Sequence, residues 1–437
     1  MKKYPFYKTC SIEWEDKIPS HWEIKWLKHQ FFFEKGINAQ KYTKEYIIEN
    51  PGKYPVYSGQ TENNGVLGHI DTYDYDSNPV ILVTTVGARA MSSQIIDGAY
   101  SLSQNCAIIT PKDNATDIRY YHYLLIHIFP IEKKNISLIM QPSLRFSDLA
   151  QYKTLFPPLT EQQAIANFLD HKTAQIDALI DQKQRQIERL QEYRTALINQ
   201  AVTKGLDPNV PMKDSGIEWL GEIPEHWEIS RLKFIGKTLI GLTYKPEEIV
   251  NDKYGSLVLR AGNIKNGKIA LNDNIYVDKR IPEEIITQKG DILICSRSGS
   301  RALIGKNAII DEIVAGSTFG VFMTLFRSPM NDYLYYIFNS RLFEFQSGLF
   351  MTSTINQLTL SVLKNFSVPI PPKYKQKDIV DFLDKKTYNI DKLIDKLNSL
   401  IVYYQEYRTA LISEAVTGKI DVRDWKGIEN GIQTDCP

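Results

Sequence analysis

Pro157-Pro158-Leu159-Thr160-Glu161-Gln162-Gln163 opens a charged run with an apolar stripe that continues to Val202, and the same run returns from Pro371-Pro372 to Val416. Gln162, Ile165, Phe168-Leu169-Asp170, Lys172-Thr173, Ile176-Asp177 and Leu179-Ile180-Asp181 reappear 214 positions later as Gln376, Ile379, Phe382-Leu383-Asp384, Lys386-Thr387, Ile390-Asp391 and Leu393-Ile394-Asp395. The match extends to Gln191-Glu192-Tyr193-Arg194-Thr195-Ala196-Leu197-Ile198, repeated as Gln405-Glu406-Tyr407-Arg408-Thr409-Ala410-Leu411-Ile412. A correspondence of this length is a true internal repeat, and the fold must use one helix twice.

Outward from the helix, the N-terminal segment carries its own repeated phrase. Ile12-Glu13-Trp14 and Ile18-Pro19-Ser20-His21-Trp22-Glu23-Ile24 return as Ile217-Glu218-Trp219 and Ile223-Pro224-Glu225-His226-Trp227-Glu228-Ile229, an offset of 205. The growth of the offset from 205 to 214 marks small loop insertions between two copies of one plan. Two tandem units of globular region then long helix follow. The globular regions are 1–159 and 205–373, the helices 160–204 and 374–418, and 419–437 is a C-terminal tail.

The globular regions read as α+β, mostly strand. Short β-type runs such as 79–87 and 106–111 alternate with turn signals at Asn50-Pro51-Gly52, Asn63-Asn64-Gly65 and Asp97-Gly98. A helix is expected over 117–129 and another over 331–345. In the second region 290–295 reads as a strand, and Ile309-Ile310-Asp311 matches Ile95-Ile96-Asp97.

The long helix has defined ends. Pro157-Pro158 stops the preceding strand because proline donates no ladder hydrogen bond. Thr160 stands three before Gln163 in capping-box spacing, Glu161 suits the positive end of the helix dipole, and Gly205 is the stop. In the second copy Tyr374-Lys375-Gln376 replaces Thr160-Glu161-Gln162, so a weaker cap is expected. Glu161 to Val202 spans 42 residues, roughly 60 Å of helix. Ile176, Lys183, Leu190 and Leu197 recur every seven residues, flanked by Leu179, Ile180, Ile187 and Tyr193; Ile390, Leu397, Tyr404 and Leu411 take the equivalent places, with Leu393 beside them. The simplest partner for each helix is the other, as an antiparallel coiled coil with pseudo-two-fold symmetry that holds the two globular regions at opposite ends. Packing of each helix on its own region, or dimerisation between chains, is the alternative.

Composition bounds the function. The 437 residues are 43% apolar and 24% charged, with net charge +1, so a polyanion partner would require positive charge focused on one surface. No apolar run reaches membrane length and Met1-Lys2-Lys3-Tyr4-Pro5 lacks a signal-peptide core, which predicts a cytoplasmic protein without membrane contact. Cys10, Cys106, Cys295 and Cys436 show neither CxxC nor zinc spacing. Gly299-Ser300-Arg301-Ala302-Leu303-Ile304-Gly305-Lys306-Asn307 imitates a phosphate loop, but has one residue too many between its glycines and Asn where Ser or Thr would hold magnesium. His122 and His127 stand five apart, the wrong spacing for two ligands on one helical face. No GxSxG, dinucleotide fingerprint, catalytic His/Cys pairing or amino-methyltransferase Asn/Asp-Pro-Pro-aromatic motif occurs, so no enzyme and no cofactor site is expected in this chain.

What remains is an inventory suited to nucleic acid: Arg for guanine edges, Gln and Asn for adenine edges, hydroxyls for phosphates. In the first region the candidates are Gln60, Asn63, Asn64, Arg89, Ser92, Gln94, Gln104, Asn105, Gln141, Ser143 and Arg145. In the second they are Arg260, Asn263, Lys265, Arg297, Ser298, Arg301, Lys306, Asn307, Thr318 and Asn356. Arg89 and Arg301 fall two residues past Gly87 and Gly299, and Gln104-Asn105 is paired with Thr318-Phe319 after the shared Ile-Ile-Asp.

The Pro-Pro-Leu-Thr-Glu-Gln-Gln-x-Ile-x-x-Phe-Leu-Asp phrase, the Ile-Asp-x-Leu-Ile and Tyr-Arg-Thr-Ala-Leu-Ile that follow, and the Ile-Glu-Trp…Ile-Pro-x-His-Trp openings resemble the specificity subunit of type I restriction-modification systems, twice and over nearly the whole chain. The resemblance implies two target-recognition domains, each reading one half of a bipartite double-stranded DNA site, separated by paired helices that act as a ruler. It implies docking of two modification (methyltransferase) subunits on those helices, with Ile176, Leu179, Ile187, Leu190, Leu197, Ile390, Leu393, Leu397, Tyr404 and Leu411 in pairing or docking. Two restriction motor subunits complete such an assembly, and S-adenosylmethionine, ATP and Mg are expected in the partner subunits. Since the regions differ where the helices agree, the expected half-sites differ. A methylation-only complex, a methyltransferase or nuclease acting alone, and a coiled-coil scaffold without sequence preference are the rival readings.

Overall fold

The structure is a computed structural model that describes residues 2–60, 63–86, 90–135, 143–350 and 357–427. The two repeated runs are continuous helices, Leu159–Lys204 and Lys373–Val416. The chain divides into two compact units, and the division falls inside both helices: one unit is Met1–Lys183 with Ser399–Pro437, the other Gln184–Asn398. Each unit therefore holds one mostly-strand region, the start of the helix that leaves it, and the end of the other helix.

In the first unit a six-stranded sheet runs in the order Phe31–Lys35, Cys106–Pro111, Tyr75–Thr84, Ser93–Leu102, Pro51–Tyr57, Val66–Ile70. All its pairings are antiparallel except that Val56 and Tyr57 lie parallel to Ser101 and Leu102. Val80 to Val83 alternate between two buried faces, which is why that strand reads as a continuous apolar run. Helix Ile118–Asn135 covers the sheet and runs six residues past the expected end. Pro130 lies inside it; the buried Leu124, Leu125, Ile128 and Phe129 hold the turn in place despite the missing donor.

The second unit keeps the plan with shorter strands. One sheet has the order Lys237–Ile240, Met323–Arg327, Ile292–Cys295, Asn307–Ile309, the other Ile249–Val250, Ile275–Val277, Ser256–Leu259, Thr318–Phe319. The parallel pairing recurs, Val258 with Thr318 and Leu259 with Phe319. The helix expected over 331–345 is two, Asn331–Phe338 and Arg341–Phe350, because the Asn339 side chain turns back to Tyr335 O and the Ser340 hydroxyl to Ile337 O, closing the first.

The helix ends are built alike in both units. In the first, the Tyr120 hydroxyl donates to Leu155 O and Val416 O, and the Tyr123 hydroxyl to Asp170 Oδ1 with Thr173 Oγ1 at 3.2 Å. In the second, Tyr333 donates to Pro369 O and Val202 O, and Tyr336 bonds Asp384 with Thr387 beside it. Thus one tyrosine grips the last turn of the other region's helix, and the second grips its own region's helix about three turns in. Gly205 and Gly418, at φ +77° and +72°, end the helices in the left-handed conformation. A Cβ on Gly205 would meet the Trp227 ring at 3.3 Å, and on Gly418 would meet Pro19 at 2.6 Å and Trp22 at 3.0 Å. The repeated Ile-Pro-x-His-Trp phrase is the socket for a helix end.

Within each unit the two helix segments run antiparallel. In the first, Ile165 and Val416 share a core with Ile176 and Leu411, and Arg408 Nε bonds Asp177 Oδ1 at 2.9 Å. In the second, Arg194 Nε bonds Asp391 Oδ1 at 3.0 Å. Since Asp391 is the repeat of Asp177 and Arg408 the repeat of Arg194, the two bridges are one interaction with the copies exchanged. Ile176, Ile187, Ile390, Leu397 and Leu411 are buried, Leu179, Leu190, Leu197 and Tyr404 half-buried. Leu393 is 46% exposed, one step outside the seven-residue seam.

The expected capping box is corrected. The first helix begins at Leu159, the Pro158 carbonyl accepts from the backbone N–H of Glu161 and Gln162, and Thr160 lies exposed within the first turn. The second helix starts equally well, with Gln376 N–H on Pro372 O. The repeated glutamine is the brace: Gln162 Nε2 donates to Pro157 O and Gln376 Nε2 to Pro371 O. Glu161 is buried and accepts from Tyr4 Oη at 3.1 Å, Trp22 Nε1 at 2.9 Å and the His21 ring at 2.6 Å. It ties the N-terminal hairpin to the helix; Lys375 stands in its place in the second unit.

Candidate nucleic-acid interface

The two regions share a backbone junction at which three loops meet. In the first unit Thr84 N–H donates to Ser92 O (3.0 Å), Met91 N–H to Thr84 O (2.9 Å), Thr85 N–H to Asn105 O (2.9 Å) and Leu144 N–H to Thr85 O (2.8 Å). In the second, Cys295 N–H donates to Lys306 O (2.8 Å), Gly305 N–H to Cys295 O (2.9 Å), Ser296 N–H to Phe322 O (3.0 Å) and Leu358 N–H to Ser296 O (2.8 Å). Isolated bridges Val86–Ser143 and Arg297–Gln357 complete the match. The turn closes through a positive φ in both, +63° at Met91 and +84° at Gly305. The phosphate-loop look-alike is therefore this turn, and its second glycine serves the backbone.

This bonding aligns the copies more closely than their sequences do. Ser103 N–H donates to Tyr57 O as Gly320 N–H does to Leu259 O, so Ser101-Leu102 is the counterpart of Thr318-Phe319, and Gln104-Asn105 the counterpart of Val321-Phe322. The sequence pairing of Gln104-Asn105 with Thr318-Phe319 is corrected: the loop after Asp311 is three residues longer than the loop after Asp97, which shifts the register. Val321 and Phe322, 41% and 55% exposed, are surface residues that sequence reasoning missed. An inserted loop flanked by a matching strand on each side was the signal.

In the first unit the junction gathers Ser92, Asn105, Ser143 and the neighbouring Gln104 and Arg145, of which all but half-buried Ser92 are exposed. The loop with Gln60 joins them: a Cβ on Gly59 would lie 2.9 Å from Val86 O and 3.2 Å from Asn105 Cβ. Gln60 and Gln94 are half-buried and shape that loop, the Gln60 amide donating to Val66 O and the Gln94 amide to Asn64 O. Asn63 and Asn64, at φ 49° and 52°, form its exposed tip. Arg89, Gln141 and Asn356 lie outside the described residues.

In the second unit the Arg297 guanidinium lies 5.3 Å from the Phe322 ring centroid, Ser298 follows on the same loop, and Arg301 and Lys306 belong to the turn whose Lys306 carbonyl accepts from Cys295 N–H. Lys265 is exposed on a separate hairpin, and the Arg260 guanidinium is engaged by Asp273 at 3.0 Å. Three candidates are corrected. Asn263, Asn307 and Thr318 are buried: Asn263 braces its loop through Arg260 N–H and Ala270 O, Asn307 donates to Gly305 O and Phe338 O, and Thr318 donates to Ile285 O. Their polar groups are consumed internally and do not reach a ligand. Beneath the junction, burial pushes the Cys106 thiol up to about 12 and raises that of Cys295, so both serve as small core residues.

Among the described residues no group of His, Cys, Asp and Glu has the makings of a metal site, and no helix is long and apolar enough to cross a membrane. One duplicated helical frame carries two unlike loop sets. The chain belongs to the type I restriction-modification family of specificity subunits: the family model "Type I restriction modification DNA specificity domain" matches residues 19–189 and 224–401. It is 25% identical to the type I restriction enzyme MjaVIII specificity subunit of Methanocaldococcus jannaschii, covering 93% of this chain and 95% of that one. It is 29% identical to the EcoKI specificity subunit of Escherichia coli over 48% of this chain and 46% of that one. A solved structure described as "Structural basis underlying complex assembly and conformational transition of the type I R-M system" superposes with TM-score 0.66 at 14% identity, covering 93% of this chain and 100% of that chain, and shares the fold.

Proposed function

We propose that this chain is the DNA-reading subunit of a type I restriction-modification complex. Each unit's region reads one half of an asymmetric, interrupted site in double-stranded DNA, and the paired helices set the spacer and dock two modification subunits. Two restriction subunits join in the full complex, and S-adenosylmethionine, ATP and Mg belong to those partners. The observation that carries this reading is the contrast within the repeat: the bridges and tyrosine grips on the helices recur with the copies exchanged, whereas the junction loops differ at almost every exposed position. Equal helices suit equal partners, and unlike loops suit unlike half-sites.

A methylome of the host with and without this gene tests the reading. Loss on deletion of an interrupted adenine-methylated motif with unlike halves is expected. An unchanged methylome in a host that expresses the modification subunit would refute it.

A further inference from the structure

We infer that Phe322 is a specificity-determining residue that recognises the 5-methyl group of a thymine in the half-site read by the second unit. The inference rests on the proposed DNA-reading function and assigns one base contact within it.

The turn Gly320-Val321-Phe322 is rigid. Gly320 N–H is bonded to Leu259 O, Val321 N–H to Leu242 O and Met323 N–H to Gly320 O, while Phe322 O accepts from Ser296 N–H, Arg297 N–H and Ser296 Oγ at 3.0, 3.1 and 2.9 Å. A backbone clamped at every step presents a phenyl ring that is 55% exposed. Exposure alone marks nothing, since Phe6 and Phe234 are more exposed; what sets Phe322 apart is its place on the three-loop junction beside Arg297. Arg297 beside it, with Arg301 and Lys306 on the adjoining turn, supplies the positive charge that a phosphate backbone attracts, so the occupant is DNA.

The ring's geometry selects the kind of contact. One face is occupied by the Arg297 guanidinium, so the ring cannot slide between two base pairs as a wedge that needs both faces. The exposed remainder of the ring is an apolar surface of the kind that meets a thymine methyl in the major groove. At the corresponding turn of the first unit stand Gln104 and Asn105, whose amides suit adenine edges. One scaffold thus offers amides on one side and an apolar ring on the other.

The test uses the complex of this chain with the modification subunits of its own system. Selection from a random duplex library defines the wild-type motif, and the selection is repeated with Phe322→Ala and Phe322→Leu. The alanine variant should lose its thymine preference at one position of one half-site by about 3- to 5-fold, with the other half-site unchanged, and leucine should keep most of it. Replacing that thymine by uracil should weaken wild-type binding about 3- to 5-fold, the worth of one buried methyl, and leave the alanine variant indifferent. Uniform weakening over all sequences, or wild-type binding insensitive to uracil at every thymine of both half-sites, overturns the inference while leaving the DNA-reading function standing. A wild-type complex that selects no motif overturns both.

Discussion

Glu161 and Lys375 occupy one place in the repeat and meet opposite fates. The Glu161 carboxylate sits buried among a tyrosine hydroxyl, an indole N–H and an imidazole, so Glu161→Ala leaves those donors unmatched and should cost the first unit about 2 to 3 kcal/mol in denaturant unfolding. Lys375 is half-exposed, and Lys375→Ala should change stability by less than about 0.5 kcal/mol. His122 gives the first unit an acid limit. Burial, then the Arg408 charge, holds its imidazole down to about 4, from an ordinary 6.5; the Ser93 hydroxyl lies 3.2 Å from its Nδ1, and Asp170 only partly offsets the fall. The unfolded chain binds the proton first, so stability is full above about 6.5 and drains away as pH falls towards 4, by about 2 kcal/mol at pH 5. His122→Gln should remove that share of the loss between pH 7 and pH 5, seen as a flatter dependence of unfolding free energy on pH. A variant with the wild-type slope would show that His122 is not the titrating group. The candidate site was only partly legible at this scale. Residue type nominated Asn263, Asn307 and Thr318, yet an amide or hydroxyl that braces a loop looks, in sequence, like one that reads a base.

The long helices were the most legible elements, because period, length and duplication agree before any contact is known. Their starts were less so: two prolines and a buried glutamine do the work that Thr160 seemed spaced for. The tyrosine grips were not legible, since Tyr120, Tyr123, Tyr333 and Tyr336 read as ordinary aromatic helix residues, and only packing reveals that Tyr120 and Tyr333 meet the end of one long helix and Tyr123 and Tyr336 the body of the other. Those grips should matter more than the inter-helix ion pairs. Tyr333→Phe keeps the ring and removes the hydroxyl from two buried carbonyls, and should destabilise the second unit by about 1 to 2 kcal/mol. The Arg194–Asp391 pair, 23% and 40% exposed, should show a coupling below about 1 kcal/mol in a double-mutant cycle. A coupling larger than the Tyr333→Phe loss would reverse this ranking. The bridges instead specify direction and register: charge reversal at Arg194 alone should destabilise more than the double reversal, which restores the pair.

At the scale of the whole chain, the repeat was readable because two copies of one plan were laid down in a single sequence; the units that fold from it were not, because the division falls inside both helices and the first unit is completed by the far end of the chain, whereas the second is one continuous stretch. This interleaving has a consequence for the proposed ruler. Every grip and bridge described above lies within one unit, on helix segments that end at Lys183 and Gln184 in one helix and at Asn398 and Ser399 in the other. Seven residues inserted at both boundaries preserve the apolar period and leave both sets of contacts untouched, while adding about 10 Å of helix. If helix length sets the spacing of the two readers, the methylated motif should keep both halves and gain a spacer of about one to three base pairs. The upper bound follows from rise alone. The lower follows because each added base pair also turns the second half-site by about 35° around the duplex, which the protein must meet by bending or by twisting DNA. Seven residues inserted in one helix only should misalign the seam and abolish modification instead of lengthening the spacer. Sequencing the methylated sites of cells carrying each variant distinguishes these outcomes: an unchanged spacer in the paired insertion would mean that the helices dock partners without measuring DNA, and an altered half-site would mean that they take part in reading it.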